Sequence, residues 1–512
     1  MSMSKSIWSD SQDNSFHRTP HYPRLVGTVK TDVVIVGGGI TGVFAAHLLR
    51  KAGRRVVVLE QAQIGAGETS KTTAHLTEAL DTRYYRLIEN FGLPAASAAA
   101  ESTRSAIDML QRTISDLDLS CDFERVSGFL YSEKKSGLDE IDREFEASRS
   151  IGIECDRVSR LDLPYKTAGG VQFRAQAQFD PHQFLFQLLE KTVDRDCKVF
   201  ERSRVTHFKD GSPCEVLTEK GRVVADQVIV ATDSPVVNRF LILSKIAAYR
   251  TYALAFRSPE NQSLPKALFW DIETPYHYLR TQKIDGDDFI IVGGEDHKVG
   301  VETETVKRFR ALEDYARDRF GKVRIENYWS GQIMNSVDGL PYIGRNAMSS
   351  NVLIATGFSG NGMTFGTLAA MILSDRILER KNPFETLYEA TRVKPAAAFS
   401  EFVAENKDFP TCIVMDRVTP PEASSVEQVK PGEGKIVQIN GEKLAVYRDE
   451  HGKTHALSSS CTHLGCRVHW NDAESSWDCP CHGSRFGTDG KVLHGPATVD
   501  LKAVPISKSK AA

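Results

Sequence analysis

At 512 residues, 41% hydrophobic and 26% charged with a formal net charge of −3, the chain has ordinary globular composition and the length for two or three domains. Its near-neutral balance gives no reason to expect nucleic acid or an anionic membrane as partner. No apolar run reaches the roughly 20 residues of a spanning helix; the nearest, "FLILSKIAAYRTYALAF" (240–256), is broken by Lys245 and Arg250, so an integral membrane protein is not expected.

Residues 1–30 are polar and proline-containing and read as a surface arm. They lack the apolar stretch of a secretory signal and a twin-arginine pair, and a cytoplasmic location is expected. "TDVVIVGGGITGVFAAHLLRKAGRRVVVLE" (31–60) then reads strand, turn, helix, strand. Gly37, Gly39 and Gly42 form G-x-G-x-x-G at the strand-to-helix turn. The first glycine permits the tight turn, the second lets backbone approach a pyrophosphate, and the third lets helix pack on strand. Free N–H groups at the helix start favour an anion there. Glu60 closes the second strand 18 residues after Gly42, as the acid for ribose hydroxyls, and Thr41 and Gln61 join the candidate contacts. This pattern alone does not separate NAD from FAD.

Alanine-rich helices are predicted over 83–117 and a strand over 223–232. β-Branched and aromatic stretches at 247–257, 275–281 and 288–294, separated by turn residues, predict an antiparallel sheet. Within "TPYHYLR", Tyr276, Tyr278 and Arg280 alternate and share one strand face. That face and His297 are the candidates for a substrate site. Residues 351–379 return to strand, glycine-rich turn and helix, "TPPEASS" (419–425) marks a boundary, and the remainder reads as short strands with tight turns.

Residues 31–77 and "GLPYIGRNAMSSNVLIATGFSGNGMTFG" (339–366) resemble the two flavin-contacting ends of the D-amino-acid oxidase and sarcosine oxidase family. The resemblance implies FAD and a discontinuous, Rossmann-like α/β domain (31–90, 191–240 and 326–400) with an inserted antiparallel α+β substrate domain (91–190 and 241–325). It puts Thr69, Ser70, Thr72 and Thr73 near the flavin and its phosphates, Val205 at adenine, and Ala231 and Thr232 along the nucleotide. Gly360, Gly362, Met363 and Thr364 would face the isoalloxazine, and His75 matches a flavin-linking histidine of one branch. Thr364 stands where the sarcosine oxidases place a carboxylate-gripping lysine. A short carboxylate substrate would then need another cation, such as Arg250 or Arg280.

Cys121, Cys155, Cys197, Cys214 and Cys412 are scattered without ligand spacing, whereas four cysteines fall within residues 461–481. Box one is Cys461-Thr-His463-Leu-Gly-Cys466 and box two is Cys479-Pro-Cys481-His482-Gly-Ser484-Arg-Phe486. Four thiolates could hold zinc or an all-cysteine cluster. With a histidine at fixed offset in each box, residues 424–507, beyond a linker at 401–423, resemble the small all-β Rieske [2Fe–2S] domains of cytochrome bc complexes. The resemblance implies Cys461 and Cys479 on one iron, His463 and His482 on the other, a Cys466–Cys481 disulfide, and Ser484 donating to a bridging sulfide. Phe486 replaces a tyrosine that bonds a cysteine sulfur in those relatives, so a lower potential is expected within a Rieske range of about −150 to +300 mV. His451, His455, His469 and His494 have no ligand spacing and read as surface or structural.

A flavin takes two electrons together and releases them singly; this cluster accepts one at a time. The expected function is a dehydrogenase of amines or amino-acid derivatives that passes electrons from FAD through the cluster to a carrier protein or quinone. Two alternatives stay open: the cluster feeds the flavin for oxygen-dependent hydroxylation or demethylation, or it serves as a redox sensor or docking module.

Overall fold

The computed structural model describes residues 6–10, 21–236, 242–259, 264–393, 405 and 419–506. The strand Gly27–Val36 starts the architecture. All of Val33 to Val36 are buried, with Val33 and Ile35 in one core and Val34 and Val36 in another. An apolar run without polar alternation suits a strand covered on both faces.

It is central in an eight-stranded sheet, pairing in parallel with Gly221–Val230 and Val56–Leu59. Cys197–Phe200 and Val352–Thr356 extend the parallel set, and Tyr342–Arg345 closes one edge antiparallel. The helix Ile40–Lys51 packs against the helices Pro181–Thr192 and Gly362–Ile377 on one side of this sheet.

A second, nine-stranded sheet has the order Ile325–Ser336, Ile246–Arg257, Asp287–Lys298, His277–Ile284, Ala267–Asp271, Glu124–Ser132, Gly169–Gln178 and His75–Leu76, with Cys155–Val158 off this path beside Gly169–Gln178. It is antiparallel except where Ala267–Asp271 meets Glu124–Ser132 in parallel. The expected boundary at 326 is corrected here: Ile325–Ser336 hydrogen-bonds along Ile246–Arg257 and belongs to the second sheet. Sequence at that point carries no break, because the strand passes without a long loop into the nucleotide-side segment. The helices expected over 83–117 are Tyr84–Phe91 and Leu93–Leu117.

The N-terminal arm is likewise not wholly on the surface. Ile7 and Trp8 are 2% exposed, and Trp8 Nε1 donates to Thr72 O at 2.7 Å. A large aromatic gains more from core contact than its polar neighbours lose. The expected linker 401–423 falls largely outside the described residues.

Residues 434–494 form two small antiparallel sheets, one of Gly434–Ile439, Glu442–Arg448 and Thr454–Ser458, the other of His469–Asn471, Ser476–Asp478, Arg485–Gly487 and Val492–His494. Trp477 and Phe486 are fully buried between them. Ala473 joins instead the core of the second large sheet, so the small domain is packed onto the larger body.

Candidate active site and iron–sulfur centre

Gly37 follows the first strand at φ 114°, where a Cβ would lie 2.2 Å from Ala231 O. A Cβ on Gly42 would lie 2.0 Å from Gly37 O. Both positions therefore exclude any side chain. The hydroxyl of Thr69 accepts Ile40 N–H at 3.0 Å, satisfying one free donor of the helix start. The Glu60 carboxylate accepts Gly38 N–H and Ala62 N–H, both at 2.8 Å. Burial raises its pKa, opposed by these N–H groups.

A cavity of about 310 Å³ opens beside this loop. Gly37, Gly39, Thr41, Glu60, Gln61, Thr69, Thr72, Thr73, His75, Val205, Ala231, Thr232, Gly360, Gly362 and Met363 line it. Gly42 packs behind it. Two expected contacts are corrected. Ser70 turns away and donates to Gly67 O at 3.0 Å. Thr364 is fully buried, with its hydroxyl accepting Thr77 N–H at 3.2 Å and donating to Thr77 O at 3.3 Å, so it clasps two segments and does not face the cavity.

At the far end stand Trp270, Tyr276, Tyr278, Thr251, Asp81 and Asp296. Tyr278 OH lies 3.0 Å from Thr251 Oγ1, and its ring crosses the next strand at Gly293, where a Cβ would meet it at 2.3 Å. His75 sits edge-on to Tyr278 at 5.6 Å, and burial with nearby Arg280 pushes its pKa down to about 3, so its imidazole is neutral. Burial pushes Asp296 up to about 7, against a hydrogen bond from Thr251 and with the like charge of Asp81 adding to it. Asp81 accepts Gly360 N–H at 2.6 Å and is also raised by burial.

Three candidate substrate groups lie elsewhere. Arg280 shares the strand face of Tyr278 but runs beyond the cavity, donating to Ala74 O at 2.8 Å and to Gln282 beneath the Trp8 ring. His297 accepts from Tyr252 OH at 2.9 Å and donates to Lys298 O at 3.0 Å, inside the core. Arg250, fully buried, donates through Nε to Glu474 at 2.6 Å. A buried guanidinium needs its partners close by, and backbone or carboxylate supplies them here.

In the small domain Cys466 and Cys481 are bridged. That removes two sulfurs from a four-thiolate site and leaves Cys461, Cys479, His463 and His482. The thiols of Cys461 and Cys479 are hydrogen-bonded. That bond pulls Cys461 down to about 7 against burial, helped by the N–H groups of His463 and Leu464 and by the Ser484 hydroxyl. The two imidazoles lie 5.0 Å apart at 89°. Burial, with Lys298 nearby, holds His482 down at about 4, which keeps it neutral as a metal ligand must be. Ser484 Oγ accepts Ala497 N–H at 3.0 Å, so its own proton is directed inward. Two thiols and two neutral imidazoles on facing loops fit a mixed-ligand diiron cluster.

The two sites meet. Leu493, His494, Gly495, Ala497 and Thr498 of the small domain form part of the cavity wall. His494, read from sequence as surface or structural, is corrected to an interface residue, with Nε2 3.3 Å from Asp233 and 3.8 Å from Glu68. Asp81, Asp296, Gln332 and His494 carry no motif spacing. Only Gly293, making room for the Tyr278 ring, and the Gly-Pro after His494 hinted at their setting.

Residues 32–376 match the family model for FAD dependent oxidoreductases (DAO), and residues 420–505 match the Rieske [2Fe-2S] domain model. The Rieske 2Fe-2S iron-sulfur protein YhfW of Bacillus subtilis is 33% identical over 505 residues, 98% of each chain. Gamma-glutamylputrescine oxidoreductase of Escherichia coli is 22% identical over 72% of this chain and 88% of its own. Glycine oxidase from Geobacillus kaustophilus superposes with a TM-score of 0.60 at 18% identity, over 71% of this chain and 99% of its own. The cradle fits FAD and the paired loops fit the cluster. The chain belongs to the DAO family of FAD-dependent oxidoreductases and carries a C-terminal Rieske [2Fe–2S] domain.

Proposed function

We propose that this oxidoreductase is an amine dehydrogenase whose electrons leave through its own Rieske domain. The observation that carries this reading is the wall formed by Leu493 to Thr498: the domain that holds the cluster closes the cavity that fits the flavin. Bound FAD accepts a hydride equivalent, and the cluster passes electrons on singly.

The substrate enters at Trp270, Tyr276 and Tyr278. Aromatic faces attract cationic amines, and the Asp81 and Asp296 carboxylates add to that preference. As Asp296 binds, it takes up the ammonium proton and leaves the neutral amine that oxidation requires. Arg250 and Arg280 are committed elsewhere, which speaks against a short carboxylate as the main determinant. The names of two relatives agree with an amine substrate, since both gamma-glutamylputrescine and glycine present an amine, although glycine is also a short carboxylate. Gly37, Gly39, Thr41, Glu60, Gln61, Val205, Ala231 and Thr232 hold the ADP half in this reading. Thr69, Thr72, Thr73, His75, Gly360, Gly362 and Met363 hold the flavin half. Cys461, Cys479, His463 and His482 ligate the cluster, and Tyr278 orients the substrate. The final acceptor is a carrier protein or a quinone.

Anaerobic mixing of purified holoenzyme with a panel of primary and secondary amines tests this. Flavin bleaching should be followed by the EPR signal of a reduced Rieske cluster. Bleaching that leaves the cluster oxidised, with reduction only by a ferredoxin-like donor, would reverse the direction of flow.

A further inference from the structure

The second cluster loop, Cys479 to Ser484, is gripped by the second large sheet. Gly300 approaches so closely that a Cβ on it would lie 2.6 Å from Pro480 N. A Cβ on Gly483 would lie 2.2 Å from Ala248 Cβ. Between these contacts stands Gln332, 2% exposed, whose Nε2 donates to Gly483 O at 3.0 Å and to His494 Nδ1 at 3.1 Å. Its backbone N–H donates to the Glu68 carboxylate at 2.6 Å. Glu68, Gln332 and His494 all line the flavin cavity. Gln332 thus touches the cavity wall and also the residue following the cluster ligand His482. Directly opposite it across the strand pair is Arg250, held by Glu474 of the Rieske domain.

We propose that Gln332 is the positioning residue for electron transfer within this chain, fixing the second cluster loop against the flavin cavity so that electrons cross a permanently docked interface without movement of the Rieske domain. With both groups bound, this contact would let one electron pass from the reduced flavin to one ferric iron of the cluster, which would become ferrous. An external one-electron acceptor then reoxidises the cluster before the second electron follows. The inference rests on the dehydrogenase reading only for the direction of flow; the docking holds for either direction.

The test uses holoenzyme with the flavin photoreduced in the absence of oxygen and of any amine, and follows the cluster by absorbance and EPR. In the wild type the transfer rate should be the same in buffer and in glycerol. Gln332→Leu should slow it severalfold or more, since electron transfer falls off exponentially as donor and acceptor move apart. This slowing should appear with both midpoint potentials and the cluster g values unchanged, which a merely destabilised fold would not produce. His494→Phe, which removes one acceptor of Gln332 Nε2 and leaves Gly483 O, should give a smaller slowing. A wild-type rate that falls in proportion to viscosity overturns the proposal without need of any variant, as does wild-type transfer in Gln332→Leu. Because no amine is present, failure of the amine assignment leaves this outcome readable. Failure of the docking proposal leaves amine-driven bleaching intact.

Discussion

Single atoms decide the nucleotide loop. Gly37→Ala would set a Cβ against Ala231 O at 2.2 Å in a left-handed backbone region, so the variant should purify without flavin absorbance while the Rieske EPR signal persists. Asp296 is a case of stored cost. Its native pKa of about 7, raised by burial, lies above the unfolded carboxylate range near 3.9. The folded state therefore binds the extra proton between these values, and stability falls as pH rises through that window. Thermal melts of Asp296→Asn should match the wild type at pH 4 and exceed it at pH 8, with weakened amine binding as the counterpart. At the cluster, Ser484→Ala removes a donor to the Cys461 sulfur and should lower the midpoint potential in a redox titration.

At the scale of elements, the glycine loop, the two cysteine–histidine boxes and the alternation at 275–281 were legible because their chemistry depends on fixed local spacing. Tyr278 follows that alternation into the cavity, while Arg280, two residues on, passes beyond it to Ala74 O. Strand alternation specifies a face and not where a cavity ends. Trp8 was illegible for a related reason: a short aromatic segment amid polar residues shows no period, and its burial rests on core contacts together with the Thr72 carbonyl and the Arg280 guanidinium against its ring. Trp8→Ala should cost about 3–5 kcal/mol in chemical denaturation, the range for emptying a buried aromatic site. It should also loosen FAD, because Thr72 lines the flavin cavity.

On the scale of the whole molecule, the Rieske domain is joined through buried charge. Arg250 and Arg485 both hold Glu474, the latter at 2.9 Å, and Arg485 holds Asp478 at 3.0 Å. Burial opposes the Glu474 charge, but the two guanidinium groups prevail and keep its pKa well below the usual carboxylate range. A carboxylate held low contributes its full stability above its unfolded pKa and loses it progressively as pH falls from there to the native value, so the junction should persist through mildly acidic buffers. Removing one partner of a buried pair costs about 3–5 kcal/mol. Arg250→Met should therefore separate denaturation into two transitions, one followed by flavin fluorescence and one by cluster absorbance.

The borrowed stretch of wall from Leu493 to Thr498 has a further meaning for how such a chain holds together. A chain without the terminal domain would lack this stretch, and its cavity would be more open to solvent. The two halves of this chain are thus tied by a wall that they share.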